Sequence, residues 1–155
     1  MDNRVKAGIL VAEDLPDDVV LLKHAFTKAG VHAPLYFVTD GQEAVEYLKG
    51  DHRYSDRATY PLPALLLLDL NMPRLSGFDV LKWVRNQSGL CRLPVVVFTS
   101  SEQPRDVNRA YELGANSYLV KPPALATLQQ IAQHLGNYWL RVNLSPDIEP
   151  EHPAS

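Results

Sequence analysis

The sequence has very little cysteine, since Cys91 is the only one among 155 residues. A chain with a single cysteine can form neither an internal disulfide nor a zinc site built from cysteines. Long hydrophobic runs are absent as well, because no apolar stretch approaches the roughly 18 residues of a membrane span. The N-terminal segment MDNRVKAG lacks the apolar core of a signal peptide. These absences predict a soluble cytoplasmic protein with no membrane partner.

Positive charge is not in excess either, because 15 lysines and arginines stand against 18 aspartates and glutamates, for a net charge of −3. A nucleic-acid-binding protein normally has a basic excess or a strongly basic face, so we expect no nucleic-acid partner. Hydrophobic residues make up 46% of the chain, which suffices for one buried core and excludes disorder throughout. We therefore predict one domain over residues 5–141 and a flexible tail over 142–155, which is too short to be an output domain.

Apolar runs of strand length alternate along the chain with segments of helical period. The five apolar runs cover residues 5–12, 35–39, 64–68, 94–98 and 117–120. The helical patterns that follow them begin near Pro16, Asp40, Gly77, Val107 and Leu125. The runs ALLLL and PVVVF are apolar throughout, which is typical of parallel strands covered on both faces. The alternation predicts a flavodoxin-like (βα)5 protein of the α/β class, with a doubly wound parallel sheet in strand order 2-1-3-4-5.

Polar residues follow these strands in the place where such sheets bind ligands, outside the carboxyl ends of the strands. They are Glu13 and Asp14 after the first strand, Asp69 after the third, Thr99 at the end of the fourth and Lys121 after the fifth. Three carboxylates at one edge repel one another, and a hard divalent cation such as Mg²⁺ relieves that repulsion. We interpret the set as an Mg²⁺-assisted phosphoryl site, in which Asp69 is the nucleophile and Lys121 is a point charge for the phosphoryl oxygens.

In this order and spacing, four motifs resemble the receiver domain of two-component response regulators, the CheY-like family, over about residues 5–141. The motifs are Glu13-Asp14, LLLLDLNMPRLSG around Asp69, VVVFTS around Thr99 and YLVKP around Lys121. The resemblance implies that Asp69 accepts a phosphoryl group from the phosphohistidine of a sensor histidine kinase. It also implies that Lys121 and Pro122 form a Lys-Pro pair whose peptide bond is often cis.

The resemblance further assigns roles to the residues around the phosphoacceptor. Asp14, the phosphoacceptor itself and the backbone carbonyl of Asn71 would bind Mg²⁺, and Glu13 would help through a water molecule. Thr99 would hydrogen-bond the phosphoryl group, and Tyr118 would be an aromatic switch whose ring turns inward as Thr99 moves. The implied function is a phosphorylation-controlled binding module that catalyses only its own phosphorylation and dephosphorylation.

A narrower resemblance concerns the extensions of the domain. The long polar connection 51–63, the Tyr138-Trp139-Leu140 end of the last helix and the short tail are similar to those of stand-alone regulators that partner phytochrome-type kinases. Trp139, Leu140 and Val142 give the helix end more apolar area than a solvated terminus needs. We expect a homodimer there or along the edge formed by strand five and helix five.

Three other functions stay open at this point. A haloacid-dehalogenase-like phosphatase would also use an aspartate nucleophile, but it carries a second aspartate two residues later as general acid, where this chain has Asn71. A flavodoxin or nucleotide-binding protein would need a glycine-rich phosphate loop after the first strand, where LPDDV stands. A degenerate receiver that never takes phosphate would lack part of the residue set, which is complete here.

Overall fold

The computed structural model describes residues 8–149, in which five strands alternate with five helices. The strands are β1 (Ile9–Ala12), β2 (Leu35–Val38), β3 (Leu65–Leu68), β4 (Val95–Thr99) and β5 (Ser117–Val120). The helices are α1 (Pro16–Lys28), α2 (Gly41–Lys49), α3 (Gly77–Arg85), α4 (Pro104–Glu112) and α5 (Leu125–Asn137). The predicted start of the first strand at residues 5–7 and the end of the tail at 150–155 lie outside the described residues. None of the helices in the described range has the length and hydropathy that a bilayer crossing requires.

The five strands form one parallel sheet in the order β2-β1-β3-β4-β5, which confirms the predicted flavodoxin-like fold. β1, β3 and β4 are buried along their whole length, as their uninterrupted apolar sequences predict. Ala12 of β1 lies opposite Leu68 of β3, and Thr99 of β4 lies opposite Val120 of β5. The carboxyl ends of these four strands therefore meet along one rim of the sheet.

Side chains of the sheet alternate between two hydrophobic cores, one on each face. Leu10 belongs to the core under α2, α3 and α4, and its neighbour Ile9 belongs to the core under α1 and α5. In that second core, Leu22 and Phe26 of α1 are clustered with Leu128 of α5. Burial of one such side chain contributes about 1.5–3 kcal/mol. The packing of α1 against α5 therefore fixes the first turn of α1 and the start of α5, both of which border the rim.

Two further helices that begin at the rim carry side-chain caps. The Asp40 carboxylate accepts a hydrogen bond from the backbone N–H of Glu43 at 2.7 Å and so starts α2. Glu43 in turn accepts hydrogen bonds from the N–H and the hydroxyl of Thr39, at 2.9 and 2.8 Å. At the start of α3, Ser76 and Asp79 form a complete capping box.

The long connection 51–63 folds against the end of α2. The guanidinium group of Arg57 donates hydrogen bonds to the carbonyl oxygens of Tyr47 and Leu48, each at 2.8 Å, and to that of Tyr60. Tyr47 and Leu48 lie in the last turn of α2, whose carbonyl groups have no partner four residues later in the helix. The connection therefore caps a helix as well as joining α2 to β3.

The last helix ends earlier than its sequence pattern predicts. The α-helix stops at Asn137, and Tyr138–Val142 form a π-helical turn. The chain then returns to the loop after α3, where the backbone N–H of Glu149 donates to the carbonyl oxygen of Gly89 at 2.7 Å. Ile148 packs against the core on that side of the sheet. The segment that was expected to be a flexible tail thus begins with contacts to the domain.

Candidate functional site

The ends of the strands bring the predicted site residues together. The backbone N–H of Asp69 donates to the carbonyl oxygen of Ala12 at 3.1 Å, which places Asp69 beside Glu13. The backbone N–H of Lys121 donates to the carbonyl oxygen of Thr99 at 2.8 Å. The parallel order of the strands is the cause, since it aligns the carboxyl ends of β1, β3, β4 and β5.

The ammonium group of Lys121 lies among three carboxylates. Its Nζ is 2.6 Å from Glu13 Oε2, 2.8 Å from Asp18 Oδ2 and 2.9 Å from Asp69 Oδ2. Burial by itself lowers the pKa of Lys121, but hydrogen bonds from the ammonium to Asp18, Asp69 and Glu13 outweigh burial and raise this pKa above its ordinary value. Lys121 is therefore a fixed positive charge at the rim.

One implied feature of this lysine is not found. The described peptide bonds are all trans, so the Lys121–Pro122 bond is trans and not cis. Trans is the isomer that X–Pro bonds favour, by about 0.5–1 kcal/mol.

Glu13 is the most deeply buried carboxylate of the site, with 1% of its surface exposed. Burial raises the pKa of Glu13 to about 7, against the hydrogen bond from Lys121 and with the help of the nearby negative charge of Asp69. The rise means that the folded protein keeps this carboxylate charged only at a cost. A cation bound beside it would reduce that cost.

Glu13, Asp14 and Asp69 form an acidic cluster that fits a divalent cation. One oxygen atom from each residue lies within 4.8 Å of the others. Two like unit charges at 4 Å repel by about 4 kcal/mol at an effective dielectric constant of 20, and Lys121 offers only one compensating charge. Carboxylate oxygens are also the ligands that hard divalent cations prefer. The cluster therefore has both the excess charge and the donor atoms for such an ion.

The loop after β3 holds Asp69 from the other side. The backbone N–H of Asn71 donates to Asp69 Oδ1 at 3.2 Å, so Asn71 orients the carboxylate. The predicted role of the Asn71 carbonyl as a metal ligand stays a prediction. A Cβ atom on Gly77 would lie 2.2 Å from the carbonyl oxygen of Asp69, so α3 can approach the site this closely only with glycine there. Asp69 is thus positioned by Asn71 at one oxygen and by Lys121 at the other.

Thr99 ends β4 with its side chain completely buried. Within residues 8–149, its Oγ1 has no hydrogen-bond partner. An unpaired buried hydroxyl costs about 1–3 kcal/mol, so a group of this kind calls for an explanation, such as a ligand that binds there. The Thr99 hydroxyl is free to donate to an acceptor that enters the rim, and a phosphoryl oxygen on Asp69 would be one.

Tyr118 is tied to the loop that follows Thr99. Its hydroxyl donates to the carbonyl oxygen of Ser101 at 2.9 Å. The Ser101 hydroxyl donates to Asp106 Oδ2 at 2.6 Å, in the first turn of α4. Burial raises the pKa of Tyr118, which keeps its hydroxyl protonated as a donor. A displacement of this loop therefore affects β5 and α4 together.

Sequence reasoning missed the contacts of Asp18 and Ser101. In the sequence, Asp18 is an ordinary acidic residue in the first turn of a helix, where it favours the positive end of the helix dipole. Its partner Lys121 lies 103 positions away. Ser101 acts partly through its main-chain carbonyl, which leaves no trace in the sequence. The one available signal was that Pro16 starts α1 at the rim, so that its first turn faces the site.

The chain matches the family model of the response regulator receiver domain over residues 9–133. Response regulator Rcp1 of Synechocystis is 34% identical over 138 residues, which cover 89% of this chain and 92% of Rcp1. The solved structure of the Mn²⁺-bound form of Rcp1 has a TM-score of 0.80 and covers 90% of this chain and 99% of that one.

Two further solved structures are similar. Response regulator RPA3017, of red light signaling in R. palustris, has a TM-score of 0.86 and 37% identity over 90% of this chain and 98% of that one. The phosphorylated cyanobacterial phytochrome response regulator RcpA has a TM-score of 0.84 and 32% identity over 92% of this chain and 99% of that one. With the fold and the rim residues described above, these matches show that the chain belongs to the response regulator receiver domain family, a family of two-component signalling modules.

Proposed function

We propose that this chain is a phosphorylation-controlled switch that accepts a phosphoryl group on Asp69 from a sensor histidine kinase. The observation that carries the proposal is the setting of Asp69 at the rim. One of its oxygens contacts the Lys121 ammonium, Asp69 forms the acidic cluster with its neighbours, and the buried Thr99 hydroxyl has no partner in the described chain. Similarity to the phosphorylated form of RcpA supports the same chemistry here.

The proposed transfer forms one bond and breaks one. A carboxylate oxygen of Asp69 attacks the phosphorus of the kinase phosphohistidine, so that an O–P bond forms and the N–P bond breaks. The imidazole leaves with the electron pair of that bond and takes up a proton. The product is an acyl phosphate on Asp69, as in other covalent mechanisms of carboxylates. Lys121 places its positive charge on the phosphoryl oxygens.

The proposed metal is Mg²⁺. Asp14 and Asp69 would hold it with the carbonyl oxygen of Asn71, and Glu13 would assist through water. The ion, when bound, neutralises the negative charge that develops on the phosphoryl oxygens. The Mn²⁺-bound form of Rcp1 supports a divalent ion in this family, and Mg²⁺ is commonly bound through one or two carboxylates together with a phosphoryl oxygen, as this site would offer.

The proposed switch starts at Thr99. Once Asp69 carries a phosphoryl group, its oxygens offer the Thr99 hydroxyl an acceptor and draw the loop after β4 toward the rim. Ser101 moves with that loop and carries the shift to Tyr118 and to α4 through its two hydrogen bonds. Only the phosphorylated protein offers the acceptor, so phosphorylation biases the two states and changes which partners bind.

Three exposed leucines at the rim support a protein kinase as the phosphodonor. Leu15 is 50% exposed beside the acidic cluster, Leu21 is 44% exposed on a groove shared with Lys121, and Leu125 is 40% exposed at the start of α5. A phosphohistidine can reach Asp69 only if the kinase covers this rim, and the leucines would then be buried. The similarity to RPA3017 and RcpA supports a phytochrome-type kinase. The proposed location is the cytoplasm, where such a kinase draws its phosphoryl group from ATP.

The proposed partner at the β5–α5 edge is a second copy of this chain. A groove of about 410 Å³ lies there, lined in part by Leu119 and Trp139. Past the end of α5, Val142 and Leu144 leave 73% and 77% of their surfaces exposed. A second copy that covered the groove and these residues would bury apolar surface at both places. Val142→Asp should lower the dimer fraction in light scattering, whereas Val20→Asp, at a similarly exposed valine of α1, should not.

The proposal makes the chain a signalling module and not a phosphatase with sustained turnover. A phosphatase that uses an aspartate nucleophile needs a general acid close to it, and Asn71, two residues after Asp69, cannot donate a proton in that role. We expect no sustained hydrolysis of p-nitrophenyl phosphate. Steady turnover of that ester would favour the phosphatase.

Acetyl phosphate with Mg²⁺ tests the proposed acceptor without the kinase. The wild-type chain should gain one phosphoryl mass by intact-mass spectrometry, and chelation of Mg²⁺ should abolish the gain. Asp69→Asn should remain unlabelled, while Asp17→Asn, which removes one exposed carboxylate from α1, should be labelled like the wild type. An Asp69→Asn protein that still gains the phosphoryl mass would place the acceptor on another residue.

A further inference from the structure

One of the three carboxylates that contact Lys121 is neither part of the acidic cluster nor the proposed phosphoacceptor. An ammonium group has three N–H donors, and Nζ of Lys121 lies within 2.9 Å of three carboxylates. Glu13 and Asp69 are two of them and are part of the acidic cluster. Asp18 Oδ2, at 2.8 Å, is the remaining one and lies outside that cluster.

Asp18 approaches Lys121 from a different direction. Glu13 and Asp69 follow strands and are almost completely buried, with 1% and 4% of their surfaces exposed. Asp18 lies in the first turn of α1, and 27% of its side chain is exposed. With Lys121 it borders a small groove of about 40 Å³ that Leu21 also lines. Asp18 is therefore the carboxylate on the solvent side of the ammonium, and the other two are on the inner side.

We infer that Asp18 is a positioning residue for the phosphoryl transfer, which holds the Lys121 ammonium at the entrance of the site. This inference rests on the proposed function, because it concerns the same transfer to Asp69. Asp18 neither accepts the phosphoryl group nor contacts the proposed metal. It acts through Lys121, and α1 can hold it in place because Leu22 and Phe26 anchor that helix against α5.

The physical reason is the balance of charges around one ammonium. With Asp18 removed, both remaining carboxylates lie on the inner side, so the ammonium moves toward Glu13 and Asp69. A closer pair with Lys121 makes Asp69 a weaker nucleophile and moves the positive charge away from the entering phosphoryl oxygens. Both effects slow the transfer. The attraction of Asp18 from the solvent side keeps the ammonium between Asp69 and the incoming phosphoryl group.

If only the net charge mattered, removal of Asp18 would make the transfer faster and not slower. Removal of one negative charge near the rim favours the approach of an anionic phosphodonor. Asp17 provides the matched control, because it is exposed in the same first turn of α1 and next to Asp18 in the chain. Asp17→Asn and Asp18→Asn change the charge and the helix dipole interaction alike. Only the second removes a negative charge that contacts the Lys121 ammonium.

The experiment compares wild type, Asp17→Asn, Asp18→Asn and Asp18→Glu with acetyl phosphate as donor. Initial rates from intact-mass spectrometry are measured against donor concentration and against Mg²⁺, and each melting temperature is recorded. We expect the maximal rate of Asp18→Asn to fall about tenfold below that of Asp17→Asn, on the scale of a hydrogen bond to a charged group. Half-saturation by Mg²⁺ should match in the two asparagine variants, whereas Asp18→Asn should have the lower melting temperature, because it alone loses the ion pair with Lys121. Asp18→Glu, which keeps the charge, should recover part of the rate.

The possible outcomes separate the inference from the proposed function. Equal maximal rates for Asp17→Asn and Asp18→Asn, with wild type labelled on Asp69, would overturn the role of Asp18 and leave the proposed function intact. The rates are compared at a temperature where both asparagine variants are fully folded, and a lower Mg²⁺ affinity confined to Asp18→Asn would also overturn the role, since Asp18 would then act on the metal. Failure of the wild type to be labelled, or labelling of Asp69→Asn, would instead remove the proposed function.

Discussion

The hydroxyl of Tyr118 donates a hydrogen bond to the main-chain carbonyl of Ser101, 2.9 Å away. Ser101 comes two residues after Thr99, and its own hydroxyl bonds to Asp106 in α4. One residue of the loop after β4 thus connects the buried hydroxyl at the rim with both β5 and α4. The connection exists before any phosphoryl group is present, so the switch needs only a displacement of this loop.

Tyr118→Phe removes the bond to Ser101 and keeps the aromatic ring. We expect the free energy of unfolding to fall by about 0.5–1.5 kcal/mol in urea denaturation, the usual worth of one hydrogen bond. The initial rate of labelling by acetyl phosphate should not change, because this hydroxyl bonds to the loop and not to Asp69. Tyr111→Phe, at a tyrosine of α4 that is 49% exposed, is the control. Equal stability of the two variants would contradict a role for the Tyr118 hydroxyl.

Asp14→Asn should stabilise the protein in the absence of metal. The substitution removes one of three carboxylates that crowd the rim, and the relief of repulsion is expected to be about 1 kcal/mol at this partly exposed position. The same variant loses a proposed metal ligand, so added Mg²⁺ should raise its melting temperature less than that of the wild type. Calorimetry in EDTA and in Mg²⁺ checks both signs. A melting temperature in EDTA that is unchanged, or that rises equally in Asp17→Asn, would contradict the crowding of carboxylates.

The residues of the rim can be predicted from the sequence, because each of them directly follows an apolar run. Uninterrupted apolar runs end at Ala12, Leu68 and Val120, and the next polar residue in each case is a site residue. Once the strands are parallel and ordered, adjacent ends must meet. The same logic could not reveal the contact of Asp18 with Lys121, because it depends on how α1 is seated against α5.

The segment after α5 shows a second kind of contact that sequence patterns do not predict. The amphipathic period continues past Asn137, yet the α-helix gives way there to a π-helical turn. The following segment looks like a solvated tail because it is rich in proline and acidic residues. Its backbone nevertheless bonds to Gly89, a contact across 60 residues that composition cannot encode. Connection 51–63 is similar, since Arg57 reaches carbonyl groups that no side-chain pattern predicts.

Glu43→Gln should make the protein less stable in a way that depends on pH. Burial opposes the charge of Glu43, but hydrogen bonds from Tyr54 and Thr39 and the charge of Arg53 outweigh burial and lower the pKa of Glu43 below 4.5. A lowered pKa in the folded state means that the charged form contributes stability above pH 4.5 and that this contribution is lost as pH falls through the folded pKa. We expect a loss of about 1–2 kcal/mol at pH 7, where the hydrogen bonds to a charged acceptor are intact.

Urea denaturation of wild type and Glu43→Gln between pH 7 and pH 3 measures this dependence. The difference in unfolding free energy should shrink as the pH falls below the ordinary range of glutamate. Glu112→Gln, at an exposed position of α4, controls for the removal of one negative charge. A difference between wild type and Glu43→Gln that is constant over the whole pH range would show that the charge of Glu43 contributes nothing.

Thr99→Val should raise the stability of the unphosphorylated protein and impair its phosphorylated state. Valine has nearly the shape of threonine but no hydroxyl, so the substitution removes a buried donor that has no partner in the described chain. Relief of that unpaired group is expected to add about 1 kcal/mol to the unfolding free energy. The impairment appears only after labelling, because the phosphoryl oxygens then lack the hydrogen bond that the Thr99 hydroxyl would donate. The ring environment of Tyr118, followed by NMR, should then respond less to acetyl phosphate than in the wild type.

Thr39→Val is the contrast at an exposed threonine, whose hydroxyl donates to Glu43 at 2.8 Å. There the same substitution removes a satisfied hydrogen bond and should lower the unfolding free energy by about 0.5–1.5 kcal/mol. A gain in stability at Thr99 with a loss at Thr39 is the result expected if only the Thr39 hydroxyl has a protein partner. If Thr99→Val lowers stability as Thr39→Val does, then the Thr99 hydroxyl already has a partner in the unphosphorylated protein. Phosphorylation would then not be the first event that gives this hydroxyl an acceptor.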